Sequence, residues 1–354
     1  MFISKFKKNI LQNILFNYDL FFYKFENWQI KLSISQNPNL FIMFTRIQNT
    51  NLVKITLIII FFIFNSCTKI VNIDIPQIEQ KTTLYSLVGN SKQLQVSIGK
   101  SYGILEYIDS DDLPENETAN VELFVNSSFI ETLSNNGSYY YSLNYLPNSG
   151  DSIDIIAQTN KGDTLVASTL IPDIILLDTV VLADSAFFDE EGYLHSQVTI
   201  NFNDIPNSNN YYEVYFWAQC DETNPDDFIP VHNYNSASPI IINENLLDYE
   251  PQSILFSDQL FDGEEVGIPI SFSYPCIDYN TGGNLETEFT VIVYFLSVTE
   301  EYYLYRKTLY KHLFSQHTDI WNGAIEPINM YSNVRGGYGV LAGYSLSTYL
   351  LYSN

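Results

Sequence analysis

The chain has 354 residues, and its 16 basic against 41 acidic residues give a net charge of −25 at pH 7. A surface with this charge repels nucleic acids and anionic headgroups, which excludes a polyanion-binding function. We expect the acidity to serve solubility rather than the binding of a specific cation.

Residues 1–42 have an unusual composition. They contain no Gly, Ala, Val, Thr or Arg and are dominated by Phe, Ile, Leu, Asn and Lys. This bias is typical of translated AT-rich upstream sequence, so we expect Met43 to be the true start and leave the segment out of the fold prediction.

Residues 43–66 have the pattern of a bacterial lipoprotein signal peptide. Arg46 and Lys54 precede an apolar run of ten residues, 55–64, and Cys67 follows after two polar residues. A transmembrane helix is the alternative, but it needs about 20 apolar residues. We therefore predict cleavage before Cys67, acylation of this cysteine and attachment of the remaining protein to a membrane outside the cytoplasm.

Cleavage before Cys67 changes the charge and the cysteine count. Seven of the 16 bases and two of the 41 acids precede it, so the remaining 288 residues carry a net charge of −30. Cys220 and Cys276 are then left in an oxidising compartment, where a disulfide between them and two separate buried thiols are both compatible with the sequence. The absence of histidines beside them in the sequence argues against a zinc site.

Residues 67–80 are predicted to be a tether, and short alternating runs separated by turn residues follow it. Seven strands are predicted between residues 81 and 172, at 82–88, 94–98, 119–125, 129–133, 138–143, 152–158 and 164–171. This spacing, without any helical period, predicts an antiparallel β-sandwich.

A second unit is predicted from residue 173 to residue 354, with a fibronectin-like strand pattern. Its predicted strands lie at 174–183, 195–201, 211–218, 266–274, 285–296 and 345–352, and residues 219–265 form a loop-rich insertion. The predicted fold is therefore all-β, with two antiparallel sandwich units of the immunoglobulin or fibronectin kind and one short helix in the C-terminal unit.

The helix is predicted at residues 298–316. Ser297 and Glu300 have the spacing of a capping box, in which each side chain bonds the backbone amide of the other residue. The apolar stripe that we expect to face the core comprises Tyr302, Tyr305, Leu309 and Leu313.

Several segments together resemble one family of Bacteroidetes lipoproteins, described as domain of unknown function 4249. The similar segments are Cys67 with Asn-Ile-Asp-Ile-Pro at 72–76, the strand ending at 96–101, Phe-Ser-Asp within 255–263, the helix start at 297–303, and the terminal block 326–344. The ordered set is more specific than any one segment and covers nearly all of residues 67–354.

The resemblance implies an outer-membrane lipoprotein, of a kind often encoded beside TonB-dependent transporters, that captures or delivers an imported ligand. It carries over no catalytic residue and no cofactor. Surface-exported lipoproteins of this group tend to carry acids directly after the cysteine, whereas Thr68 and Lys69 follow Cys67 here. A surface-facing and a periplasm-facing anchor therefore both remain open.

Gly337, Gly339 and Ala342 formally fit the G-x-G-x-x-A dinucleotide fingerprint. That fingerprint needs a βαβ unit and an acidic residue about 20 positions further on. Only 12 residues follow Ala342, and none of them is acidic. We instead predict that the glycines allow a tight turn or bulge before the last strand.

Catalytic and metal sites have little support in the sequence. The four histidines, His195, His232, His312 and His317, lie in unrelated contexts, and no serine has the surroundings of a nucleophile elbow. Among the acidic loops, Asp109, Asp111 and Asp112 are a weak calcium candidate without EF-hand spacing, and solvated loop charge is the simpler interpretation.

The 27 tyrosines and 24 phenylalanines are the last signal. Exposed Tyr, Trp217 or Trp321 could stack on sugars, peptides or a partner protein, but alternating strands bury every second ring in the core.

We predict a non-enzymatic, lipid-anchored binding or accessory protein of the outer membrane, partnering a TonB-dependent transporter. A structural or adhesive envelope module is the alternative, and an exported hydrolase is a third hypothesis.

Overall fold

The computed structural model describes residues 80–102, 117–220, 228–278, 283–284, 289–316 and 328–353. Residues from Gln77 to Asn354 form one compact unit. Cys67, the predicted signal peptide, the tether up to residue 79 and the calcium candidates Asp109, Asp111 and Asp112 lie outside the described residues.

The described part of the chain is mostly strand, with two helices, which confirms the all-β prediction. The strands are β1 Thr82–Gly89, β2 Gln95–Lys100, β3 Ala119–Val125, β4 Ser128–Thr132, β5 Ser134–Asn135, β6 Tyr140–Tyr141, β7 Ser152–Thr159, β8 Thr164–Leu170, β9 Thr179–Phe188, β10 Leu194–Asn203, β11 Tyr211–Gln219, β12 Ile229–Pro230, β13 Ile254–Ser257, β14 Glu265–Ser273, β15 Ile277–Asp278, β16 Gly283–Asn284, β17 Thr290–Val298 and β18 Tyr338–Tyr352. The helices are α1 Pro239–Asn243 and α2 Glu300–Gln316, and a 3₁₀ turn spans Leu247–Tyr249.

A nine-stranded sheet is the centre of the fold. Its order is β12-β11-β17-β18-β1-β2-β6-β5, with β13 also paired to β11. All neighbours are antiparallel except β1 and β18, which run parallel with Thr83 opposite Tyr338. Strand β1 belongs to the first predicted unit, which ends at residue 172, and β18 belongs to the second. Because these two strands pair, the two predicted sandwich units share one sheet.

Two smaller sheets cover one face of the central sheet and give the fold its sandwich character. The sheet β4-β3-β7-β8 encloses one core, which includes Leu84, Ile155 and Leu341. The sheet β14-β10-β9 encloses a second core around Phe202 and Phe216. Both cores follow from alternation, because a strand that is buried on one face places every second side chain inward.

Helix α2 lies on the opposite face of the central sheet, where Tyr302, Tyr303 and Tyr310 pack against Val340 and Ala342 of β18. The fold therefore has three layers, and the central sheet is apolar on both faces. The helix begins close to its predicted position, and none of the helices in the described residues is long and apolar enough to cross a membrane.

Two details of the helix prediction are wrong. Ser297 belongs to β17, and its hydroxyl accepts a hydrogen bond from the Ile175 backbone N–H at 3.2 Å. Thr299 caps the helix instead, because its Oγ1 accepts from the Tyr302 N–H at 3.4 Å. Leu313, which was predicted to belong to the buried stripe, is 38% exposed. The buried face of the helix is instead centred on Tyr302 and Tyr310.

The glycines of β18 allow the parallel pairing with β1. Gly339 has φ +123°, and a Cβ at this position would lie 1.8 Å from the Leu84 carbonyl oxygen. A side chain is therefore excluded where the two backbones meet. Gly339 lies within a strand and contacts backbone, an arrangement unlike the βαβ turn of a dinucleotide site.

Cys220 and Cys276 form a disulfide with an S–S distance of 2.04 Å. The sequence left open a disulfide and two separate buried thiols, and the structure has the disulfide. Cys276 is buried in the core of the β14-β10-β9 sandwich. The bond links the end of β11 to the segment after β14, across the region predicted to be loop-rich. That region also contains α1, the 3₁₀ turn, β12 and β13.

Candidate ligand-binding pocket

A cavity of about 710 Å³ opens beside the parallel pair β1 and β18. We call it the tyrosine pocket, after the five tyrosines in its lining, Tyr85, Tyr102, Tyr305, Tyr331 and Tyr338. Its volume falls within the range of small-molecule sites, about 300–1,000 Å³.

The central sheet and helix α2 together place the tyrosines. Tyr85 of β1 is in register with Val340 of β18, and Tyr338 lies two residues before Val340, so both tyrosines lie on the face that α2 covers. Tyr305 projects from α2, with its ring centroid 5.8 Å from that of Tyr85. Tyr102 follows β2, and Tyr331 lies in the segment that leads into β18.

Three of the rings offer surface to a ligand. The exposed fractions of Tyr85, Tyr102 and Tyr338 are 43%, 40% and 43%. The hydroxyls of Tyr102, Tyr331 and Tyr338 form no hydrogen bond with protein groups of the described residues. Burial raises the pKa of Tyr305 to about 12 and also raises that of Tyr85, so these phenols stay protonated at neutral pH.

The other polar groups of the tyrosine pocket are neutral. Ser101 Oγ accepts from the Lys81 backbone N–H at 2.9 Å, and Ser332 Oγ accepts from the Gly339 N–H at 3.1 Å. Both hydroxyls can still donate, and Asn329 is exposed at the same cavity. None of the lining residues that the structure describes is charged. Lys81 Nζ lies outside the lining, 4.7 Å from the Tyr338 ring centroid.

Two buried ion pairs hold α2, and therefore Tyr305, against the sheet. Glu213 of β11 is fully buried and accepts from Arg306 Nη2 at 2.8 Å and from the Tyr302 hydroxyl at 2.5 Å. Glu244, after α1, accepts from Lys307 Nζ at 2.8 Å and from the Tyr303 hydroxyl. Each cation lies four residues after its tyrosine, so both pairs occupy the sheet-facing side of the helix.

Three carboxylates meet beside the family-like segment 255–263. Asp204, Asp258 and Asp262 place one oxygen each within 4.8 Å of the others, a spacing that a cation could bridge. Each carboxylate already accepts a backbone N–H, from Gly263 at 2.8 Å, from Asn210 at 2.7 Å and from Asn207 at 2.8 Å respectively. The three carboxylates therefore link the loop at residues 204–210 to the loop at residues 258–263.

The environment of Asp258 differs from that of an ordinary surface carboxylate. Burial and the neighbouring charges of Asp204 and Asp262 raise its pKa, even though the Asn210 N–H stabilises its charged form. Gly263 closes the segment with φ +72°, and a Cβ there would lie 2.5 Å from the Pro206 Cβ. The aspartates and the glycine of this segment thus have a structural explanation.

A second cavity, of about 790 Å³, contains His195, His232 and Ser273. His195 Nε2 lies 3.0 Å from Asp189 Oδ2, and the ring stacks on Phe187 with centroids 5.1 Å apart. Its Nδ1 is buried without a partner, while Ser273 Oγ accepts from the Asn233 amide at 2.8 Å. An activated serine needs a hydrogen bond to the histidine base, which these two residues do not form.

The remaining sequence candidates are dispersed. Trp217 is 37% exposed and packs edge-on to Tyr294, and His312 Nδ1 lies 3.3 Å from the Ile328 carbonyl oxygen. His317 and Trp321 lie outside the described residues. The tyrosine pocket was not predicted, and the only signal for it in the sequence is that Tyr331 and Tyr338 belong to the terminal family-like block.

Comparison with known proteins confirms the family resemblance. No curated protein matches this sequence. A family model described as a domain of unknown function, DUF4249, matches residues 68–349. This match covers most of the chain and includes every residue of the tyrosine pocket, and on this basis the protein belongs to the DUF4249 family.

Proposed function

We propose that this protein is a non-enzymatic binding protein, anchored to the outer membrane through Cys67, that captures a small ligand in the tyrosine pocket. The observation that carries the proposal is the convergence of five tyrosines from β1, the end of β2, α2 and β18 on one cavity. Apolar cavities with a few convergent polar groups are the usual form of small-molecule sites.

The envelope location rests on the signal-peptide pattern that ends at Cys67. We further propose that the protein delivers its ligand to a TonB-dependent transporter, as the family resemblance implies. The strongly acidic charge keeps nucleic acids and anionic headgroups away, so the acyl chains of Cys67 would supply the membrane attachment.

Binding assays with the full chain, purified from solubilised membranes in detergent, test the capture function. Ligand-observed NMR would screen three libraries, namely neutral oligosaccharides, short peptides and small aromatic compounds. We expect hits from at least one library that disappear with Tyr102→Ala and Tyr338→Ala. The matched control is Tyr352→Ala, because Tyr352 is a 64% exposed tyrosine of the same strand outside the pocket. Equal binding by all variants, or no hit in any library, would overturn the proposal.

Purification of the tagged full chain from outer membranes tests the transporter partnership. We expect a TonB-dependent transporter to co-purify stoichiometrically with the wild-type protein. Recovery of the protein alone, under detergent conditions that preserve known transporter complexes, would count against the partnership without affecting the capture function.

A further inference from the structure

We propose that the ligand of the tyrosine pocket is a neutral carbohydrate, bound as a short oligosaccharide. This inference rests on the proposed capture function and specifies its ligand class. Three properties of the pocket support it: the exposed ring faces, the uncharged hydrogen-bonding groups, and the lack of a free strand edge.

The ring faces match the apolar faces of sugar rings. A pyranose carries C–H groups on its faces and hydroxyls around its rim, so it is bound best where flat aromatic rings adjoin polar groups. Tyr85, Tyr102 and Tyr338 each have at least 40% of their surface exposed, and tyrosine presents a rigid ring together with a polar hydroxyl. Such rings lose little conformational entropy when they bind.

The polar groups match a ligand with many hydroxyls. The hydroxyls of Tyr102, Tyr331 and Tyr338 are unused by protein groups of the described residues, and each can both donate and accept. Asn329 adds an amide that can pair with two neighbouring hydroxyls. A site built to bond hydroxyls rejects ligands that leave those groups unpaired.

The charge of the lining favours a neutral sugar over an acidic one. Among the described residues, no Asp, Glu, Lys, Arg or His lines the cavity, in a protein whose net charge is −25. An anionic sugar would meet no cation within the lining and would be repelled by the protein as a whole. Lys81 lies outside the lining and is directed at the Tyr338 ring, so it provides a test of this point.

The sheet topology argues against an extended peptide. Peptides commonly bind by adding a strand to an exposed sheet edge, where the main chain supplies the hydrogen bonds. Beside the pocket, β1 pairs with β18 on one side and with β2 on the other. The outer side of β18 is hydrogen-bonded there by Ser332 and Asn333, so neither strand has a free edge at the pocket. Recognition must therefore use side chains, as it does for sugars.

Titration calorimetry with the full chain in detergent tests the proposal, using sets of neutral oligosaccharides, acidic oligosaccharides and peptides. We expect a neutral oligosaccharide to bind and to lose affinity by about tenfold or more with Tyr338→Ala or Tyr102→Ala. Tyr338→Phe, which keeps the ring, is expected to lose less affinity than Tyr338→Ala. Lys81→Ala, which removes an ammonium from the Tyr338 ring, should not weaken binding. Tyr352→Ala should bind as the wild type does, and binding should be insensitive to salt.

Two classes of result would overturn the inference. Binding of peptides or acidic sugars alone, lost with Tyr338→Ala, would reject a neutral carbohydrate as the ligand but leave the capture function intact. Neutral sugar binding that survives both alanine variants would place the sugar elsewhere. Circular dichroism of each variant shows whether it is folded, and Tyr102→Ala, which lies outside the strands, provides a second variant if Tyr338→Ala unfolds.

Discussion

Glu213 and Arg306 form an ion pair between the central sheet and helix α2, with Nη2 donating to Oε1 at 2.8 Å. The Glu213 side chain is 1% exposed and the Arg306 side chain 22%. Because the carboxylate is buried, the pair stabilises the protein only while both partners are present. It therefore fixes the helix that carries Tyr305 into the tyrosine pocket.

Arg306→Met is expected to lower the free energy of unfolding by about 3–5 kcal/mol, because it leaves the Glu213 carboxylate buried without its cation. Urea denaturation measures the change. Adding Glu213→Gln should recover part of the loss, since the unpaired charge is removed. Lys161→Met is the control, because Lys161 pairs with Glu117 and its side chain is 64% exposed. Exposed pairs contribute about 0–1 kcal/mol, so this substitution should have little effect on stability. A loss of the same size in the control would contradict the prediction.

Asp258→Asn is expected to change how stability depends on pH. The pKa of Asp258 is raised by burial and by nearby carboxylates, so the folded state retains its proton where the unfolded chain has lost it. Its stabilising contribution is full below the unfolded pKa of about 3.9 and is lost as the pH rises through the folded pKa.

The stability of the wild type relative to Asp258→Asn should therefore increase as the pH falls from 7 towards 4. Asn keeps an oxygen that can accept the Asn210 N–H, so the comparison isolates the charge. Denaturant curves of both proteins at several pH values give the difference. A constant difference, or one that changes in the opposite direction, would show that burial does not raise this pKa.

The double variant Cys220→Ser/Cys276→Ser is expected to lose about 2–4 kcal/mol of unfolding free energy. The disulfide joins residues 56 positions apart, and closing a loop of this length restricts the unfolded chain. A thiol reductant should lower the melting temperature of the wild type but not that of the double variant. Equal sensitivity of both proteins to the reductant would mean that the bond does not contribute.

Cys67→Ala tests the membrane anchor. We expect a soluble, unacylated protein that remains folded, because the described core is complete without residue 67. Fractionation of cells and mass spectrometry of the N-terminus measure the result. A variant that stays membrane-bound with its leader cut elsewhere would refute the lipoprotein assignment.

The sequence predicts those parts of the fold whose signal is local. Strand β7 was predicted nearly to its ends because the buried Ile153, Ile155 and Ala157 alternate with less buried residues. Tyr140 is buried while Tyr139 and Tyr141 are less so, and Tyr212 is buried while Tyr211 is less so, as alternation requires. The helix was also predicted, since its period of 3.6 residues differs clearly from that of the flanking strands.

The remaining features depend on contacts between distant residues. The pairing of Thr83 with Tyr338 joins positions at opposite ends of the described chain, and no local pattern predicts a parallel pair without a crossover helix. Arg306 and Lys307 have the pattern of surface cations, and only the buried glutamates opposite them explain why they face the sheet. The tyrosine pocket combines residues from separate elements for the same reason.

Sugar binding in the tyrosine pocket is tested most directly by the affinity of the full chain for a neutral oligosaccharide, compared between the wild type, Tyr338→Ala and Tyr352→Ala. We expect a loss of about tenfold or more for Tyr338→Ala and no change for Tyr352→Ala. Equal affinities for all three proteins would show that the pocket does not bind the sugar.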